Sequence, residues 1–214
     1  MHLAAFIEHT LLRADATPEQ VERHCAEAAA HGLFGVCISP LYVASARGWV
    51  GDGVGVVTVA GFPLGTSASA TKAEEARRAV LDGASEVDMV MAIGLARSED
   101  WAGVRADILA VRAAVPDAVL KVILETGYFD EFALRRAAEV AVDAGADFLK
   151  TSTGFGPRGA TAEDVRLLVE VAGGRAQVKA SGGIRTGEQA RAMIEAGAVR
   201  IGTSNGVEIA ASFR

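Results

Sequence analysis

AGADFLKT (144–151) ends a helical stretch on Gly145 and runs at once into a short apolar strand that finishes on a lysine. The same stop and start recurs in HGLFGVCIS (31–39), DGASEVDMV (82–90) and AGAVRIGT (196–203). Glycine adopts the left-handed conformation just past a last helical turn without steric penalty, so each one closes a helix and the apolar run behind it opens a strand. Five residues beyond Gly32, Gly83, Gly145 and Gly197 stand Cys37, Asp88, Lys150 and Gly202, which should hold equivalent places in their strands.

Outward from these four, apolar β-rich runs at 54–60, 119–124 and 176–180 supply three more strands, and 6–9 a short first one. Helical stretches separate them. TPEQ (17–20), TAED (161–164) and TGEQ (186–189) have the form of helix N-caps with a polar or acidic residue three places on, and Pro18 suits a first helical position. Val21, Cys25 and Ala28 then recur at helical spacing, and further helices are expected near 69–81, 100–115 and 130–144. Eight strands alternating with helices over residues 1–214 predict an α/β protein that is a single-domain (β/α)8 TIM barrel. An open doubly wound sheet is usually shorter and lacks an eighth unit.

The 21 basic and 27 acidic residues leave a net charge of −6, which gives no global attraction to nucleic acid or to an anionic membrane. Cys25 and Cys37 fall in a helix and a strand and form neither a disulfide framework nor a metal-ligand pattern. The first residues, MHLAAFIEHTLLRAD, lack a basic segment followed by a long apolar core, and no 18 apolar residues run together. A cytoplasmic, unexported protein is the expectation.

Alternation along EVDMV (86–90) sends Val87 and Met89 to the helices and Asp88 into the barrel. The same parity turns Lys179 inward. Lys150, Asp88 and Lys179 would then lie near the C-terminal ends of strands four, six and seven, where such barrels carry their active sites. A lysine near the interior either finds an anion or sheds its proton and becomes an amine nucleophile able to form a Schiff base. Lys121, Glu125 and Cys37 share the inward parity. Lys121 reads better as a low-lying ion-paired residue, and Cys37 as a small apolar filler.

SGGIR (181–185) follows strand seven, and GTSN (202–205) follows strand eight and opens a terminal helix. Barrels often bind phosphate in these two loops, through backbone N–H groups that glycine allows close. Gly182, Gly183, Gly202, Thr203 and Ser204 are therefore candidate phosphate contacts, with Gly154 closing the site from strand six.

With these residues in place the chain resembles the deoxyribose-phosphate aldolases, class I aldolases on the (β/α)8 fold. IEHTLL (7–12), TVAGFPLG (58–65), EVDMV (86–90), LKVILETG (120–127), FLKTSTGFGPRGAT (148–161), VKASGGIR and RIGTS carry the resemblance in order along nearly the whole chain. It implies Lys150 as the Schiff-base nucleophile, Asp88 as proton donor and acceptor, Lys179 as a second proton-handling lysine, and phosphate contacts at Gly154, Gly182, Gly183, Gly202 and Ser204. The implied reaction is reversible cleavage of 2-deoxy-D-ribose 5-phosphate to acetaldehyde and D-glyceraldehyde 3-phosphate, with no metal or organic cofactor and sugar phosphates and aldehydes as partners. Pairing through helix surfaces as a homodimer is a further expectation. The family usually has Asp where this chain has Glu8, and many members continue into a tyrosine-ended tail where this sequence stops at Phe213-Arg214. Another lysine-dependent aldolase, a sugar-phosphate isomerase using Asp88 as base, and a non-catalytic phosphosugar-binding barrel are the alternatives.

Overall fold

The structure, a computed structural model, describes residues 3–212, so Phe213 and Arg214 lie outside the described residues. Its strands are β1 (Ile7–Leu11), β2 (Gly35–Ile38), β3 (Gly55–Ala60), β4 (Glu86–Val90), β5 (Val119–Ile123), β6 (Phe148–Lys150), β7 (Gln177–Ser181) and β8 (Arg200–Thr203). All pair in parallel and in sequence order, and β8 closes on β1. The helices between and after them are α1 (Pro18–Ala30), α2 (Val43–Trp49), α3 (Ser69–Leu81), α4 (Ile93–Arg97), α5 (Trp101–Ala114), α6 (Glu131–Asp143), α7 (Ala162–Ala172), α8 (Gly187–Glu195) and α9 (Gly206–Ala211).

The helix ends follow the local chemistry. Thr17 with Gln20, and Thr186 with Gln189, form reciprocal capping boxes, and the Thr161 hydroxyl accepts from the Asp164 N–H. Asp100 and Asp130 cap α5 and α6 in the same way. The four glycines that start the repeats have φ of +60° (Gly32), +110° (Gly83), +89° (Gly145) and +110° (Gly197), the left-handed values expected of helix stops. Gly202 and Thr203 belong to β8 itself, so the loop after that strand is confined to Ser204 and Asn205.

Register fixes the interior. In a tilted barrel one layer is reached by stepping two strands around and two residues along. Pairings Cys37–Val57–Glu86, Asp88–Lys121–Phe148, Lys150–Lys179–Arg200 and Gly202–Glu8–Gly35 then link Cys37, Asp88, Lys150 and Gly202 into a ring that closes on itself. The repeat marks one interior layer, as its spacing predicts. The same stepping joins Glu8, Val57, Lys121 and Lys179 in the layer beneath.

Val87, Met89 and Met91 point outward into the main apolar core beneath the helices. Inside the barrel, Cys37, Val57 and Val59 pack with Leu12 and Phe62. The interior also carries charge, with Glu8, Asp88, Lys121 and Lys179 all fully buried. Burying so many charges costs several kcal/mol per ion unless each is paired, so this side is built for chemistry and not for stability.

Candidate active site

Asp88 sits at the centre. Its Oδ2 accepts from Lys150 Nζ at 2.7 Å and Lys179 Nζ at 2.6 Å, while Oδ1 accepts from Lys121 Nζ at 2.8 Å. Lys179 also pairs with Glu8, and Lys121 with Glu86. Glu8 Oε1 lies 3.4 Å from Lys121 and 3.8 Å from Arg200 Nε. The longer side chain of Glu8 thus reaches both lysines of its own layer.

Burial opposes charge on Asp88, but the three ammonium groups outweigh it and hold the carboxyl well below its ordinary range. Burial likewise disfavours the Lys179 ammonium, yet Asp88 and Glu8 hold its pKa above the usual lysine value. Lys121 is raised against the same desolvation, by Asp88, Glu8 and Glu86. Burial pushes the Cys37 thiol up to about 11, so it remains a protonated filler, as read from the sequence. Glu8, Cys37 and Asp88 come within metal-ligand distance of one another, but lysines occupy both carboxylates and the thiol keeps its proton, a set that does not fit a metal.

A cavity of about 300 Å³ opens above this cluster at the C-terminal ends of the strands. Its wall includes Lys150, Gly154, Gly182, Gly183, Gly202, Thr203 and Ser204, while Asp88 and Lys179 lie beneath. The structure therefore brings every residue singled out from the sequence to one place. The charged side chains on the wall are Lys150, Arg13 and Arg185, with no carboxylate or imidazole among the described lining residues. Such a lining favours an anion. The Thr203 hydroxyl is already used, donating to Ile184 O at 2.7 Å, which ties the β7 and β8 loops together. Phe155 meets Phe62 edge to face at 5.4 Å on the rim.

Gly202 has no room for a side chain. A Cβ there would stand 2.9 Å from Ser181 Cβ and 3.1 Å from Lys179 Cε. Gly202→Ala should displace Lys179 from its carboxylates and lower kcat/KM by roughly 10- to 100-fold, the effect of about 1–3 kcal/mol of overpacking at the site. Steady-state kinetics on the purified variant check this.

The loop from β6 to α7 carries Gly154 and is fastened from β5. Glu125, left-handed at φ 55°, accepts from the Thr153 N–H at 3.2 Å, and Asp164 takes Thr126 Oγ1 at 2.8 Å and the Arg158 guanidinium. Burial raises the Asp164 pKa, but Arg158 and then Thr126 bring it below its ordinary value. Its contribution to stability is therefore present above about pH 4 and lost as pH falls through the lowered folded-state value. Asp164→Asn should be less stable than the parent near pH 7, with the gap closing toward about pH 3. Urea midpoints at both pH values measure it.

The model of the family described as DeoC/LacD family aldolase matches residues 4–211. The chain belongs to the DeoC/LacD aldolase family. Deoxyribose-phosphate aldolase of Deinococcus radiodurans is 56% identical over 97% of this chain and 94% of its own length. That of Thermus thermophilus is 56% identical over 99% of this chain and 96% of its own. Among solved structures, an aldolase named QR15 superposes with a TM-score of 0.95 at 43% identity, covering 99% of this chain and 95% of that one. The deoxyribose phosphate aldolase of Aeropyrum pernix, described as tetrameric, gives 0.91 at 36% identity, covering 99% and 90%.

Within this DeoC/LacD barrel, Lys121 is the low-lying ion-paired residue that its inward parity suggests, and its carboxylate partners are Asp88, its register partner on β4, together with Glu86 and Glu8. Glu8 was seen as a departure and not as the partner of Lys179, because β1 and β7 meet only across the closed barrel. Arg13 and Arg185 sit on loops, where no periodicity marked their direction.

Proposed function

We propose that this chain is a Schiff-base aldolase that reversibly cleaves 2-deoxy-D-ribose 5-phosphate to acetaldehyde and D-glyceraldehyde 3-phosphate. Lys150 is its nucleophile, and Asp88 and Lys179 handle its protons. The observation that carries this is an asymmetry: of the three lysines bound to Asp88, only Lys150 lies on the cavity wall. Glu8, Glu86 and Asp88 also have Lys121, Lys179 and Arg200 as partners, so the ion-pair network does not depend on Lys150 alone.

The free amine adds to C1 of the open-chain sugar, and loss of water leaves an iminium that draws electrons from the C2–C3 bond. The iminium nitrogen keeps one N–H, which can hold the bond that Lys150 makes to Asp88. Through a water Asp88 takes the C3 hydroxyl proton as the C2–C3 bond breaks, and glyceraldehyde phosphate departs from an enamine. Protonation of the enamine carbon, with Lys179 as proton relay, and addition of water release acetaldehyde and the amine. The lysine supplies the electrophilic activation, so no step calls for a metal. Backbone N–H groups of Gly154, Gly182, Gly183, Gly202, Thr203 and Ser204 hold the phosphate, with Arg13 and Arg185 facing it across the cavity.

An isomerase would need a general base at the substrate with a pKa near neutrality. The wall offers no carboxylate or imidazole among the described residues. Incubation with 2-deoxy-D-ribose 5-phosphate should yield the two aldehydes in equal amounts; a five-carbon ketose product, or none, would contradict the assignment.

The reading includes a single barrel domain, pairing of copies through the outer helices as a homodimer, and action in the cytoplasm. The free thiols of Cys25 and Cys37 and the exposed Phe132 on α6 support the latter two. Among the described residues no helix is long and apolar enough to cross a membrane.

A further inference from the structure

Three of the four histidines of this chain, none of them on the cavity wall, gather between the outer face of β1 and the helices α1 and α9. His9 and His24 are buried, and their rings stack at 3.5 Å with an interplanar angle of 14°. Glu27, one turn beyond His24 on α1, lies 3.2 Å from His9 Nε2. Nδ1 of His9, Nε2 of His24 and Nδ1 of the nearby His31 are buried and have no hydrogen-bond partner. An orphaned buried nitrogen costs about 1–3 kcal/mol, so several together call for an explanation.

From this convergence we infer that His9, His24 and Glu27 form a binding site for one divalent transition-metal ion of the zinc class, fastening α1 to β1. Two imidazoles and a carboxylate are the donor set such ions prefer. One ligand atom from each of the three residues lies within 4.8 Å of the others. Ligands on tetrahedral zinc stand roughly 3.3 Å apart, given bonds of about 2.0–2.1 Å. The closure needed is a tilt of the stacked rings and a swing of Glu27, whose side chain is 43% exposed and gives the ion its entry.

Other groups around the pair agree with this role. The first residue of α9 is Gly206, where a Cβ would stand 2.8 Å from His9 Nδ1 and cover it. Glu208 and His31 are the other titratable groups that act on His9, and water can take the fourth position.

Cobalt titration of the untagged full-length protein tests the site. One Co²⁺ per chain should bind with the visible absorption of tetrahedral cobalt, and Zn²⁺ should bleach it. At about a hundredfold excess over Kd, Zn²⁺ should raise Tm by roughly 5–10 °C. Glu27→Gln should weaken binding about 10- to 100-fold, and His24→Gln should abolish it, with aldol cleavage unchanged in Glu27→Gln. Absence of the band and of the Tm shift overturns the proposal, as does equal binding by Glu27→Gln and the parent. Should His24→Gln not fold, Glu27→Gln on the exposed side decides alone.

Discussion

Lys150→Leu should lower kcat for cleavage by on the order of 10⁴-fold or more, because it removes the atom proposed to bond covalently to the substrate. The loss should not be a loss of fold. Asp88 retains Lys121 and Lys179, so no buried charge is stranded, and leucine fills the space of the lysine stem at the top of β6. Tm should therefore stay near that of the parent while turnover disappears. Kinetics and thermal melts on one preparation separate the two effects. A Lys150→Leu protein with activity near the parent would move the nucleophile elsewhere, with Lys179 the next candidate.

Asp88→Asn is expected to do the opposite kind of damage. The amide keeps the shape but removes the charge that faces three lysines, two of them fully buried. Breaking a buried charge network from one side costs about 3–5 kcal/mol, which corresponds to a fall in Tm of roughly 6–20 °C for a chain of this size. At temperatures where the variant remains folded, kcat should fall by about 10²- to 10⁴-fold, the usual scale for loss of a proton-transfer group.

The pH limits follow from the same network. Asp88, depressed, contributes stability that is present above about pH 4 and is lost only as pH falls through its much lower folded-state value. Lys179, raised, contributes stability that is present below about pH 10.4 and is lost only as pH rises through its still higher folded-state value. The parent should therefore keep the cluster's contribution across the whole neutral range, and Asp88→Asn should lack the Asp88 part of it at pH 7. An unchanged Tm in Asp88→Asn would show that the three lysines do not depend on this carboxylate.

Local signals carried far in this chain because helix stops and strand starts are local events. The glycines at 32, 83, 145 and 197 set both the element boundaries and, through their constant spacing, the layer that contains Asp88 and Lys150. Parity then gave the inward direction of Lys179. Out of reach were contacts that depend on closure and tilt. Lys121 meets Asp88 because the register of β5 on β4 sets them side by side, and Glu8 meets Lys179 because β8 brings β1 close to β7. Such pairs are separated by up to 171 residues and have no signature within any one segment. Loop directions were equally hidden, which is why Glu125, left-handed and holding Thr153, was seen only as an inward residue.

In the proposed mechanism Lys150, and neither of the lysines beside it, forms the covalent bond. Reduction with borohydride in the presence of acetaldehyde, followed by peptide mapping, tests it most directly. A single ethyl adduct on the peptide containing Lys150 is the result expected; an adduct on Lys179 or Lys121, or none at all, would contradict it.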